Sequence, residues 1–99
     1  MTAYRLSHLA RADLDAIWLY VAQSADLETA DRLIDTITDR FPMLAKMPKA
    51  GKGTDEIESG VRVFAVESYL IYYRVERSRI SIARVIHGMR DQDSAWQKE

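Results

Sequence analysis

The stretch VRVFAVESYLIYYRVERSRISIARVI, residues 61–86, decides the fold of this chain. It holds runs rich in Val, Ile, Tyr and Phe over residues 61–67, 70–76 and 80–86. Runs of this length and composition are typical of β-strands. The connections between them are short enough for hairpins. The stretch therefore predicts an antiparallel meander of three strands.

Two helices are predicted before the meander, one over residues 8–23 and one over residues 27–44. In both, apolar residues recur every three or four positions, which gives each helix one apolar face. These residues are Ala10, Leu14, Ile17 and Val21 in the first helix, and Leu27, Ala30, Ile34, Ile37, Phe41 and Leu44 in the second. Ser7 and Asp26 are suited to cap the two helices. Pro42 lacks an N–H group and predicts a kink or a restart of the second helix.

The predicted fold class is α+β, with the element order β-α-α-β-β-β. Residues 3–7, AYRLS, are interpreted as a short strand that adds a fourth strand to the sheet. The glycines and charges of residues 48–60 predict a long loop between the helices and the meander. A helical hairpin packed on a mainly antiparallel four-stranded sheet accounts for residues 1–99 as one domain.

Composition narrows the class of protein. The 99 residues are 47% hydrophobic and 29% charged, as in ordinary globular domains. There is no cysteine, which excludes disulfides and thiolate sites and suits the cytosol. The chain is charged too early for a signal peptide, and no apolar run is long enough to span a membrane. We therefore expect a cytoplasmic protein that does not contact membranes.

Charge is distributed unevenly along the chain. The net charge is −1, which argues against a free-standing nucleic-acid binder and predicts no direct DNA binding. Residues 61–90 nevertheless carry six arginines against two acidic residues, while residues 1–60 and 91–99 are net acidic. Arginine suits the recognition of carboxylates and phosphates. The alternative is that these arginines are solvated at strand edges and in loops.

The face of the sheet that carries Arg84 depends on the turn between the last two strands. A three-residue turn places Arg84 beside Tyr72 and Arg74, on the face away from the helices. A two-residue turn places it beside Ile71 and Tyr73, because a shift of one residue reverses the face. We favour the three-residue turn.

The sequence contains no strong catalytic or metal-binding motif. His8 and His87 are far apart and no Cys or clustered carboxylate joins them, so no metal or other cofactor is predicted. RNA cleavage without a metal needs a base, an acid and cations around the phosphate. Arg62, Arg84 and His87 could supply these groups, with lysines of the loop. The alternative is that His87 is an ordinary histidine at a strand end.

Several motifs in a fixed order resemble the ParE toxins of the RelE/ParE superfamily. Their pattern covers residues 4 to about 91 and is specific in order and spacing rather than in any single piece. The motifs are YRLS..A..DL..I..Y (4–20), P..G (48–51), G.R.F (60–64), Y.I.YRV (69–75) and RVIHGMRD (84–91).

The resemblance implies a toxin that a ParD-like antitoxin binds and that inhibits DNA gyrase when free. RelE-type relatives instead cleave mRNA in the ribosome, and they tend to be strongly basic with a Tyr or His near the carboxyl terminus. This chain is net acidic and its tail, QDSAWQKE, has neither residue. We therefore expect an enzyme inhibitor rather than a ribonuclease. A module that only sequesters antitoxin is the third possibility.

The predicted partner surfaces follow from this interpretation. The antitoxin is expected to supply a helix and an extended segment, forming a hetero-oligomer. Its predicted contacts are Trp18, Tyr20, Ile37, Phe41 and Arg74. The predicted contacts with the target are Arg84, His87, Arg90 and Trp96.

Overall fold

The computed structural model describes residues 3–54 and 60–89, in which three helices pack on one face of a five-stranded sheet. The elements are β1 (Ala3–Leu6), α1 (His8–Ser24), α2 (Leu27–Thr38), α3 (Arg40–Lys46), β2 (Lys52–Gly53), β3 (Val61–Val66), β4 (Tyr69–Val75) and β5 (Arg79–His87). The predicted α+β class and the meander are confirmed. None of the helices in the described ranges has the length and apolar character that a membrane crossing requires.

The sheet has the strand order β1-β5-β4-β3-β2. β1 runs parallel to β5, and every other pair is antiparallel. The fifth strand is the two-residue β2, whose Lys52 and Gly53 pair with Val63 and Arg62. Sequence reasoning missed β2 because a Lys-Gly pair carries no strand pattern.

The turn between β4 and β5 is tighter than predicted. Val75 pairs with Ile80, and the Glu76 amide donates to the Arg79 carbonyl at 2.8 Å, so only residues 77–78 lie outside the ladder. The preference for a three-residue turn was therefore wrong.

A β-bulge then changes the register within the same pair of strands. Tyr73 pairs with Ile82 and Tyr72 pairs with Arg84, which leaves Ala83 as the extra residue. The bulge restores the predicted pairing of Arg84 with Tyr72, although the turn would have excluded it. The wrong turn length and the bulge that was not predicted shift the register in opposite directions, so the predicted pairing of Arg84 is still observed.

Ser7 joins the start of α1 to the sheet. Its hydroxyl accepts a hydrogen bond from the Ala10 amide at 3.0 Å and donates one to the Ala83 carbonyl at 2.8 Å. The side chain is almost fully buried, so both bonds form away from solvent. The N-cap was predicted, and its second bond fixes α1 against β5.

The long second helix of the prediction is divided into α2 and α3 at Asp39. Pro42 is the third residue of α3, where its missing N–H group breaks no helical bond. In one continuous helix its ring would meet the carbonyl of Thr38, so the break lies before Pro42. At the other end of α2, Asp26 accepts from the Thr29 amide at 2.7 Å, and this bond lowers the pKa of Asp26.

The main core lies between the helices and the sheet. It includes Ile37 and Phe41, which are 0% and 1% exposed. A smaller buried cluster of Val61, Tyr72 and Ile86 lies on the other face of the sheet. The three described helices thus lie on one face of the sheet, and that arrangement places α1 beside the end of β5.

Candidate functional site

A groove lies between α1 and the carboxyl-terminal half of β5. The pairing of β1 with β5 ends at Leu6 and Ile82, whereas β5 continues to His87. Beyond this point α1 takes the place of a neighbouring strand. The groove has a volume of about 570 Å³ and is lined by Asp13, Ala16, Ile17, Tyr20, Tyr69, Val85 and His87.

Asp13 lines the groove and joins α1 to β5 through three hydrogen bonds. Its carboxylate accepts from Arg84 Nε at 2.8 Å, from Arg84 Nη2 at 2.9 Å and from the Val85 amide at 2.9 Å. The two side chains are only 8% and 14% exposed. The hydrogen bond with Asp13 raises the pKa of Arg84, against the opposing effect of burial. Arg84 is therefore a fixed cation between α1 and β5.

The sheet wall of the groove is aromatic. The rings of Tyr69 and His87 pack edge to face, with centroids 5.0 Å apart. His87 Nδ1 accepts from the Met89 amide at 3.0 Å, so in this arrangement the ring carries its proton on Nε2. Burial raises the pKa of Tyr69, with a smaller contribution from Tyr20. The wall is apolar with a polar edge.

The helix wall presents Asp13, Ala16 and Tyr20 at successive turns of α1. Ala16 is small enough to let another chain approach closely, and Tyr20 is 69% exposed. Among the described residues that line the groove there is no Ser, Cys or Lys nucleophile. No group of His, Cys, Asp or Glu in the described ranges could hold a metal ion. The shape and lining of the groove suit an apolar or amphipathic segment.

Comparison with known proteins shows the family. A sequence model described as "ParE toxin of type II toxin-antitoxin system, parDE" matches residues 4–92. The chain belongs to the ParE toxin family. Toxin ParE1 of Caulobacter vibrioides is 37% identical over 87 residues, which cover 88% of this chain and 90% of that protein. Toxin ParE1 of Mycobacterium tuberculosis is 30% identical over 91 residues, covering 91% and 93%.

A solved structure agrees with this ParE-family fold. It is described as the chromosomal ParDE TA system from P. aeruginosa and matches with a TM-score of 0.78 and 26% sequence identity. The match covers 88% of this chain and 96% of that one. The family expectation drawn from the motifs is confirmed.

The residues predicted to bind antitoxin are not all on the surface of this ParE-family chain. Tyr20 lines the groove. Trp18 is half-buried, and its indole N–H donates to Asp31 Oδ1 at 2.8 Å, which joins α1 to α2. Arg74 is half-buried near the other end of β4. Ile37 and Phe41 pack inside the core, so as surface contacts they were wrong.

The described residues among those predicted to contact the target, or to cleave RNA, lie in different parts of the structure. Arg84 pairs with Tyr72 as expected, but its guanidinium is bound by Asp13 of α1, so the guanidinium itself does not stand on the face away from the helices. His87 is in the groove wall. Arg62 donates to the Gly51 carbonyl at 3.0 Å, towards the other end of the sheet. Arg90 and Trp96 lie outside the described residues.

Sequence reasoning missed most of the groove. Asp13, Ala16, Ile17, Tyr69 and Val85 were not among the predicted site residues. The position of Asp13 could have been noticed in the sequence, because it lies between Ala10 and Ile17 at helical spacing and therefore beside the buried face of the helix. An acidic residue at that position predicts a basic partner elsewhere in the core.

Proposed function

We propose that this chain is the toxin of a bacterial, cytoplasmic type II toxin–antitoxin system, which inhibits DNA gyrase by protein–protein contact. A ParD-like antitoxin neutralises it by forming a hetero-oligomer. Membership of the ParE family supports the proposal, since the matching family is described by the parDE system and the structural neighbour by ParDE.

The groove beside α1 is the observation that supports the proposed binding of an antitoxin. It combines an exposed tyrosine, a small residue on a helix and an aromatic sheet wall. An amphipathic helix fits this shape, since its apolar side chains would fill the space between Tyr20 and Tyr69. The groove also adjoins the part of β5 that no β1 residue pairs with, where an extended antitoxin segment can follow the helix.

The positions of the side chains that a ribonuclease would need favour an inhibitor of gyrase over a ribonuclease. Arg84 is already paired with a carboxylate inside the protein. Arg62 pairs across from Tyr73 and His87 across from Tyr69, which separates them by about 13 Å along β4 alone. A phosphate bound by one of these side chains would lie out of reach of the other.

Supercoiling of relaxed plasmid by DNA gyrase tests the proposal. The purified chain should inhibit supercoiling, and its co-encoded antitoxin should relieve the inhibition. A folded chain that binds antitoxin but leaves gyrase active would refute gyrase as the target. Cleavage of mRNA in a translation extract would then decide for the ribonuclease.

Tyr20 is expected to be a main contact of the antitoxin. Tyr20→Ala should weaken antitoxin binding by about 2 kcal/mol, or roughly 30-fold, because it removes an aromatic anchor from the groove. Leu19→Ala is the matched control, since Leu19 is 51% exposed on the same helix and does not line the groove. Titration calorimetry measures both. Equal affinities for the two variants would place the antitoxin elsewhere.

His87 is expected to be dispensable for toxicity. Glutamine keeps a polar group at the end of β5 but cannot act as a general base near neutral pH. His87→Gln should therefore change gyrase inhibition by less than about threefold. Loss of toxicity with fold and antitoxin binding intact would favour the ribonuclease.

A further inference from the structure

Charge divides this molecule into an acidic helical part and a basic remainder. Residues 8–38, which form α1 and α2, contain six acidic residues against two arginines. The described residues from 40 to 89 contain nine Lys and Arg against two glutamates. Adding Asp55, Glu56 and Glu58, which lie outside the described residues, still leaves residues 40–89 at +4. The two parts should attract partners of opposite charge.

A hollow of about 430 Å³ lies in the basic part, far from the groove. It is lined by Pro48, Lys49, Gly53, Gly60, Val61, Arg62 and Val75. Val75 ends β4, whereas Tyr69, which lines the groove, begins it. Six residues of strand span about 20 Å, so the two sites are separate surfaces at opposite ends of the sheet.

The backbone beside this hollow is held in place by β3 and β4. Tyr73 Oη accepts from the Gly51 amide and donates to the Pro48 carbonyl, both at 2.8 Å. Arg62 Nε donates to the Gly51 carbonyl at 3.0 Å, and Arg62 Nη2 reaches the Lys49 carbonyl at 3.4 Å. The loop is therefore rigid before any partner arrives, which lowers the entropic cost of binding.

Lys49 lines the hollow, and Lys46 and Lys52 lie within three residues of it in sequence. Lys46 ends α3, Lys52 lies in β2, and all three lysines are exposed. None forms an ion pair within residues 3–54 and 60–89. Exposed apolar surface adjoins them at Met47 and Val75, which are 59% and 45% exposed.

The lining favours a protein partner over a nucleic acid. Among the described residues that line the hollow none is aromatic, so it offers no surface on which a base could stack. Gly53 and Gly60 carry no side chain at the rim, and no atom of residues 3–54 or 60–89 beyond their chain neighbours lies within 4 Å of the place where a Cβ would be. A segment of a partner protein that carries carboxylate side chains can bring its backbone close to this rim and its carboxylates close to the lysines.

We propose that this lysine hollow binds an acidic segment of the target protein, with an apolar side chain seated against Val75. The inference rests on the proposed function, in which the target is gyrase and the antitoxin occupies the groove. It assigns the two partners to opposite ends of the sheet.

Charge reversal at two of the lysines tests the inference. Lys49→Glu/Lys52→Glu should raise the concentration needed for half-inhibition of gyrase at least about tenfold, because attraction becomes repulsion. Its affinity for antitoxin should stay within about twofold, since the groove is about 20 Å away. Arg11→Glu/Arg40→Glu makes the same change in net charge at exposed arginines outside the hollow and should inhibit like the wild type.

Unchanged inhibition by Lys49→Glu/Lys52→Glu would overturn the inference while leaving the proposed function standing. Loss of antitoxin affinity in this variant would also overturn it, by assigning the hollow to the antitoxin. So would wild-type binding of a short DNA duplex that the variant loses. A wild-type chain that fails to inhibit gyrase would overturn both the inference and the proposed function.

Discussion

Asp13 and Arg84 form the contact on which the groove depends. A buried ion pair adds little stability compared with apolar residues of the same size, because both charges leave water. Removing one partner is costly, however, since the other charge stays buried and unpaired. Asp13 also receives the Val85 amide, so the pair holds both the side chain and the main chain of β5.

Arg84→Ala should lower the free energy of unfolding by about 3 kcal/mol, because it leaves the Asp13 carboxylate buried without its cation. Urea denaturation at neutral pH measures the loss. A double-mutant cycle with Asp13→Ala gives the coupling between the two side chains. A loss below about 1 kcal/mol would mean that the pair behaves like a solvated surface ion pair.

At the scale of elements, the segment between α3 and β2 is shaped by strands that follow it in the chain. Gly51 lies against β3 and β4 so closely that a Cβ there would be 2.5 Å from Tyr73 Oη and 2.9 Å from the Val63 carbonyl oxygen. A side chain at this position cannot be accommodated unless the loop or the strand moves. The lysine hollow therefore depends on one glycine.

Gly51→Ala should destabilise the fold by about 2 kcal/mol, as overpacking in a rigid site does. It should also weaken gyrase inhibition if the hollow contacts the target, because the loop must shift. Gly53→Ala is the matched control, because among the described residues no atom beyond its chain neighbours lies within 4 Å of its Cβ position. Thermal unfolding of the two variants, compared with the wild type, checks the first effect. Equal melting temperatures for the two variants would show that the loop can move to accommodate the added methyl group without loss of stability.

For the whole molecule, periodicity predicted the parts of the fold that repeat. The α1 face with Ala10, Leu14 and Ile17 is buried as expected, and the three long strands follow their runs of β-branched and aromatic residues. Features made by a single residue were not predictable from periodicity. The bulge at Ala83 is of this kind, because an inserted residue leaves no composition signal.

The site was harder to predict than the fold because it joins segments that are distant in sequence. Asp13 and Arg84 are 71 residues apart, and only the folded chain shows that they are partners. Ile37 and Phe41 illustrate the opposite error. They belong to the apolar seam of the second predicted helix, and a seam that packs the core cannot also be an exposed contact.

The way α1 closes the end of β5 has a consequence for the free chain. An unpaired strand edge invites pairing with the edge of another molecule and hence aggregation. Here the Asp13 carboxylate accepts the hydrogen bond of the Val85 amide, and a foreign carbonyl would have to displace this charged acceptor to use the same donor. A second copy of this chain therefore meets one donor fewer on this edge, whereas a helix that enters the groove does not need that donor.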